Sequence, residues 1–212
     1  MVSFIKKILL LTFIWLINSS SLPVSNEPDT VFIDFKTSKV EIGAVKIKDF
    51  DPSLKAFLDT LAAAEGTSIA ESHCWKDSGY LAIVGCSVKK QMTFDSFDSH
   101  PEKKLKLKSG IRSDAAGRYQ MLSKTWNWVA PKIEAEDFSP ENQDLAAAWL
   151  IEYRGAINII KQIGSGSYWH FLKAISLVNK EWASLPGSPY GQRTHSAKDL
   201  WKVYKKAYLH YK

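Results

Sequence analysis

A glutamate on the apolar face of a helix is the residue in this chain best placed to move a proton. Leu54, Phe57, Leu58, Leu61 and Ala62 recur at helical spacing, and Glu65 lies on the same stripe, three turns after Leu54. Asp51 is placed to cap this helix, Pro52 to open it and Gly66 to end it. Glu65 therefore falls in the last turn, where burial disfavours its carboxylate and the helix dipole disfavours negative charge. Both effects raise its pKa toward that of a general acid working near neutral pH. Position alone equally allows a helix-end glutamate that bends out into solvent.

The other reactive side chains exclude more than they suggest. His73, His100, His170, His195 and His210 show no HExxH or other metal spacing, so neither metal nor cofactor is expected. The chain has two cysteines, Cys74 and Cys86. Two cysteines in an exported protein are most simply a disulfide, with a pair of buried thiols as the alternative. Export is suggested by Lys6-Lys7, the apolar run from Ile8 to Ile17, and the small polar residues Asn18 to Ser21. That run is about half the ~20 residues a membrane span needs. Residues 1–21 read as a signal peptide or, alternatively, a membrane tether through residues 8–17. Either way the remainder is expected outside the cytoplasm, periplasmic or facing the cell wall. Removing residues 1–21 takes two lysines and lowers the net charge from +6 to +4.

The elements that must position Glu65 can be read next. Over the 22–50 extension, Val31, Ile33 and Phe35, then Val40, Ile42, Val45 and Ile47, alternate with polar residues in a strand-like period of two, which allows either a hairpin or an extended linker. From 51 onward the pattern is mainly helical. A small β-hairpin or irregular sheet is expected between about 79 and 98, then a basic loop with Lys103, Lys104, Lys106 and Lys108. Helices follow: one carrying Tyr119, Leu122, Trp126 and Val129, and one from Ser139-Pro140 to Arg154-Gly155. Three more span about 156–163 and 168–182, and a stretch carrying Leu200, Val203, Tyr204 and Ala207. The fold class is α+β, one mainly helical domain over 51–212 with a small β-hairpin lobe. Aromatics are 12% of the chain, and its eight tryptophans are assigned mostly to the core, with Trp182 near the groove.

Several stretches resemble lambda-type phage endolysins, the soluble lytic transglycosylases of lysozyme-like fold. Lys55 to Thr67 (KAFLDTLAAAEGT) resembles the helix that bears their catalytic glutamate. Gly79-Tyr80 with Ile83-Val84-Gly85 resembles a glycine-bounded strand, and His100-Pro101 the loop after it. Gly117-Arg118-Tyr119-Gln120, then Asp137 to Pro140 with Gln143-Asp144, continue in order. Trp182 to Gly187, then Tyr190-Gly191-Gln192, resemble the loop that closes the groove. The resemblance spans about residues 54–200.

It implies a lysozyme-like fold and an enzyme acting on peptidoglycan glycan strands, expected to be a monomer. In that family one glutamate protonates the glycosidic oxygen between N-acetylmuramic acid and N-acetylglucosamine. The muramic acid C6 hydroxyl then closes on C1 to give a 1,6-anhydro end. An internal nucleophile removes the need for the second carboxylate of ordinary glycosidases. The residues implied are Glu65 for catalysis, with Arg118, Tyr119, Gln120, Gln143, Tyr190 and Gln192 for substrate binding. Asp144, in the first turn of its helix, is read as structural at least as readily as catalytic. The family's aspartate after Gly-Tyr is Leu81 here, which puts fine substrate contacts in question. Three other readings stay open. One is a hydrolytic muramidase positioning water with Asp77, Asp95 or Asp114. Another is a non-catalytic wall-binding protein. A nucleic-acid binder is disfavoured because no recognisable binding motif is present, and no nucleic-acid partner is expected.

Overall fold

The computed structural model describes residues 50–68, 78–87, 90–107 and 110–212. The proposed signal segment and most of the 22–50 extension lie outside these residues, as do Cys74 and Asp77. Six α-helices and one short sheet are described. Helix α1, Pro52–Ala64, starts as its sequence predicts: Asp51 Oδ1 accepts the Ser53 N–H at 2.7 Å, and Pro52 opens the first turn. It lies along the last helix, α6, Ala197–Tyr211. Helix α3, Pro140–Tyr153, is capped by Ser139, and α4, Ile157–Lys161, and α5, Tyr168–Val178, follow. Helix α5 ends four residues short of the expected 182. Among the described residues no helix is long and apolar enough to cross a membrane.

The β lobe differs from expectation. The described residues between 79 and 98 make isolated bridges in place of a ladder, Ala82 with Thr93, Ile83 with Ala116, and Ser87 with Lys90. The regular ladder, β1 Leu105–Lys106 paired antiparallel with β2 Arg112–Ser113, forms where the lysine run suggested a loop. Glycine explains part of this. Gly79 sits at φ +86°, and a Cβ there would lie 2.3 Å from the Thr67 carbonyl oxygen. The chain passes too close to α1's end, and turns too tightly, to run on as a strand.

The helix expected to carry Tyr119 begins later, as α2, Ser123–Val129. Ala116 and Met121 exchange both backbone hydrogen bonds and so close residues 116–121 into a tight loop. Gly117 makes that loop possible at φ +78°, because a Cβ would fall 2.2 Å from Gln143 Oε1.

Two aromatic junctions join these pieces. Phe57 of α1 meets Phe171 of α5, which meets Trp201 and Tyr204 of α6. Phe138, fully buried ahead of α3, takes Phe94, His100 and Trp126 around its ring at 4.7–5.9 Å. His100 is the polar member. Its Nδ1 accepts the Glu102 N–H, which assigns the ring proton to Nε2 for donation to the Met121 carbonyl. Burial depresses its pKa, in keeping with a neutral structural histidine. The tryptophans divide more evenly than expected: Trp126 and Trp182 are buried, whereas Trp128 and Trp169 are exposed.

A buried polar knot completes the frame. Tyr80 donates to both oxygens of Asp144 at 2.9 Å, and Tyr119 donates to Oδ1 at 2.6 Å. Arg118 pairs with Asp59 of α1 at 2.6 Å, lies over the Tyr80 ring, and donates to the Ser78 carbonyl. Tyr211 of α6 donates to the other Asp59 oxygen at 2.9 Å. The knot thus ties α1, α3, α6 and the 116–121 loop together around a cavity of about 490 Å³. Replacing Asp144 by Ala would leave two sequestered phenols without their acceptor. Such losses cost about 2–4 kcal/mol. A denaturant midpoint lowered accordingly, at unchanged transition slope, is the expected result.

Candidate active site

Glu65 follows the last residue of α1 as its C-cap and donates its backbone N–H to the Leu61 carbonyl at 2.9 Å, while the Gly66 N–H bonds the Ala63 carbonyl at 3.1 Å. Its side chain is only partly exposed. Ser184, from the loop after α5, donates its hydroxyl to Glu65 Oε1 at 2.6 Å, and a Ser184 backbone hydrogen bond adds to it. Burial is the larger influence and pushes the Glu65 pKa up to about 7, against the opposing pull of both Ser184 bonds. No other carboxylate figures among these influences within the described residues. The acid expected from the helical stripe is present, and the carboxyl does not bend free into solvent.

The loop bringing Ser184 is fixed from several sides. Trp182, 4% exposed, donates its indole N–H to the Tyr119 carbonyl at 3.2 Å. Asn179 donates to the Pro186 carbonyl at 3.1 Å, and the His195 N–H reaches the Ser184 carbonyl at 3.0 Å. On the other side, Thr67 donates its hydroxyl to carbonyls of Ala62 and Arg118. The helix end is thereby joined to the Gly117–Gln120 loop.

The residues expected to bind substrate separate into two groups. Arg118, Tyr119 and Gln143 are buried, and the polar knot or the loop occupies their donors. Gln143, 1% exposed, accepts from the Arg118 N–H at 2.9 Å and donates to the Phe138 and Tyr80 carbonyls. Gln120 is half-buried beside Trp182 and Glu181, with its amide donating to Gly117 at 3.0 Å. Tyr190, 56% exposed, and Gln192 face solvent, and Tyr190 donates to the Lys180 carbonyl at 2.7 Å. Asp144 is held within the polar knot, its oxygens accepting from the Tyr80 and Tyr119 hydroxyls. Burial raises its pKa to about 6 against those bonds and Arg118.

Leu81, the departure from the family pattern, is packed in the core. Asp114, a candidate for positioning water, accepts the Ser123 hydroxyl at 2.6 Å. Burial opposes ionisation there, but the Ser123 bonds prevail and lower its pKa. Asp95 is exposed. Ser184 was not singled out from the sequence. Its one available signal was its place inside the Trp182–Gly187 stretch. Among the described residues no group of acidic, histidine or cysteine side chains could hold a metal.

A half-buried carboxylic acid at a helix end, in a mainly helical α+β domain, is shared with the glycosidase-type enzymes of lysozyme fold to which this chain is similar. The chain belongs to the endolysin family, whose model matches residues 55–209. The endolysin of Escherichia phage lambda is 37% identical over 153 residues, covering 72% of this chain and 89% of that protein. The endolysin of Escherichia phage P2 is 38% identical over 160 residues, covering 73% and 92%. In structure, bacteriophage lambda lysozyme complexed with a chitohexasaccharide matches with a TM-score of 0.67 at 37% identity, covering 74% of this chain and 95% of that one. A second structure of lysozyme from bacteriophage lambda matches at 0.63.

The Glu65 environment has a measurable consequence for stability. The folded protein holds this proton more tightly than the unfolded chain, so Glu65 withdraws stability as pH rises from about 4.5 to about 7. Relative to Glu65→Gln, the unsubstituted protein should lose up to about 3 kcal/mol across that window. Ser184→Ala removes a bond to the ionised form and should extend the loss by roughly one pH unit. Denaturant titrations of the three proteins at a series of pH values read both effects.

Proposed function

We propose that this endolysin is a lytic transglycosylase acting on peptidoglycan, with Glu65 as acid and then base. The protonated carboxyl gives its proton to the glycosidic oxygen between N-acetylmuramic acid and N-acetylglucosamine as the C1–O bond breaks. The carboxylate then takes the proton of the muramic acid C6 hydroxyl as that oxygen bonds to C1. The products are a 1,6-anhydro end and a free N-acetylglucosamine hydroxyl, with no water consumed and Glu65 protonated again. The observation that carries this reading is a half-buried acid whose pKa burial raises to about 7, with Ser184 as its polar partner and no second carboxylate acting on it among the described residues. Asp114, one of the carboxylates considered for directing water, is engaged by Ser123.

The lambda lysozyme structure with a chitohexasaccharide supports a β-linked amino-sugar polymer as ligand. In this reading Gln120, Tyr190 and Gln192 meet the glycan, while Arg118, Tyr119 and Gln143 hold the groove behind them. Mass spectrometry of digested sacculi tests the reaction. Products carrying 1,6-anhydro ends, and a roughly thousandfold slower lysis by Glu65→Gln, are expected. Reducing ends alone would assign hydrolysis instead.

The same reading makes residues 1–21 an export signal, 22–50 an extension, and 51–212 a monomeric catalytic domain beyond the cytoplasmic membrane, with Cys74 and Cys86 bonded. An intact-mass measurement of the exported protein reads both the starting residue and the two hydrogens lost on disulfide formation. A chain retaining Met1, or one carrying two free thiols, would overturn the corresponding part.

A further inference from the structure

Trp128, Trp149 and Tyr153 form an aromatic cluster on the outer side of α2 and α3. Trp149 and Tyr153 stack with ring centres 5.3 Å apart and planes within 9°, and Trp128 stands nearly perpendicular to both at 4.9–5.0 Å. Trp149 packs back against the core, but Trp128 is 42% exposed and Tyr153 53%. Flat aromatic surface left in water at this scale invites a ligand.

Its position suggests which one. A small cleft of about 50 Å³ lies beside the candidate site, lined by Gln120, Thr125, Leu150, Glu181 and Trp182 among others. Trp128 is one turn beyond Thr125 on α2, and Tyr153 one turn beyond Leu150 on α3, so both continue the faces that line this cleft. Arg154 completes the path, because it bonds Glu181 at 2.5 Å and lies 5.3 Å from the Tyr153 ring centre. Exposed Lys124, one turn before Trp128, adds a cation to the rim.

We propose that Trp128 and Tyr153 form a distal stacking platform for a peptidoglycan glycan strand, continuous with the groove at Gln120 and Trp182. The proposal rests on the reading of the enzyme as one that cleaves this polymer. Pyranose rings offer apolar C–H faces edged by hydroxyls, which match aromatic rings bordered by polar groups. Lys124 suits the carboxylates that the wall polymer carries. A second copy meeting this patch about a twofold axis would instead bring like-charged lysines together. The platform holds the strand away from the reacting bond, so its residues position substrate and do not touch the chemistry.

The test uses Glu65→Gln, which should bind sacculi without degrading them. Adding Trp128→Ala and Tyr153→Ala should weaken sedimentation with purified sacculi roughly tenfold, the loss expected when aromatic anchors are removed. Phe at both positions keeps the ring faces and should restore binding to within about twofold. If the double alanine variant melts early, Trp128→Gln alone is read in the same way. Equal sedimentation with and without the platform residues overturns the proposal. So does a concentration-dependent dimer, seen by sedimentation velocity, that the substitutions abolish. Continued lysis by Glu65→Gln would overturn the reading of the function, whereas an inert Glu65→Gln with unaltered platform binding overturns the platform alone.

Discussion

The contact between Glu65 and Ser184 joins two parts of the chain that have no local reason to meet. One is the residue that caps the end of an apolar helix; the other belongs to a loop 119 residues further on. A carboxyl held away from water is costly when charged, and it is tolerated here because it can stay protonated near neutral pH. That condition dictates the surroundings. The helix must be anchored firmly enough for its end not to fray, and the loop must be held so that one hydroxyl reaches one oxygen. The long contact of α1 with α6, the Phe57–Phe171–Tyr204 junction and the hydrogen bonds around Trp182 meet those requirements.

Asp144 shows how the same physics gives a second acid another fate. Burial raises its pKa as well, to about 6. Yet two tyrosine hydroxyls donate to its oxygens, Tyr80 shared between both and Tyr119 to Oδ1, with Arg118 close by. Its ionised form is the one these neighbours favour. Among the described residues Glu65 is reached by Ser184 alone, and it lies partly open. Proton affinity alone would not separate these two carboxyls. Their partners do.

The sequence carried the position of the first of these acids plainly and the second only in part. The stripe from Leu54 to Ala62 has helical period and places Glu65 on the apolar face, but whether its carboxyl turns inward depends on Ser184, which no local pattern shows. Helix caps at Asp51 and Ser139 were legible, since they depend on neighbours two or three residues away. Arg118, Tyr119 and Gln143 read as ligand contacts because the resemblance to the endolysins implied that role. Their partners Asp59, Asp144 and Tyr80 come from other parts of the chain and leave no local periodic trace. The strand pairing failed similarly. Alternation between 79 and 98 signals an extended chain, but Gly79 packed on Thr67 diverts it before a ladder can form.

Rigidity is distributed to suit this chemistry. Between Asn179 and His195 the loop is bonded at Asn179, Trp182 and Ser184, the residues that fix the hydroxyl against Glu65. Beyond Gly187 it turns outward, and Tyr190 and Gln192 stand in solvent. A proton donor needs a fixed environment, because a displacement of a fraction of an ångström alters both its pKa and its aim. Side chains that meet a long polymer gain from adjusting to each sugar as it arrives. One loop can serve both demands because its residues from Glu181 to Pro186 are buried or half-buried and most of those after Gly187 are exposed. The φ of +74° at Gly187, with Asn179 Nδ2 only 3.1 Å from where a Cβ would stand, sets the boundary between them.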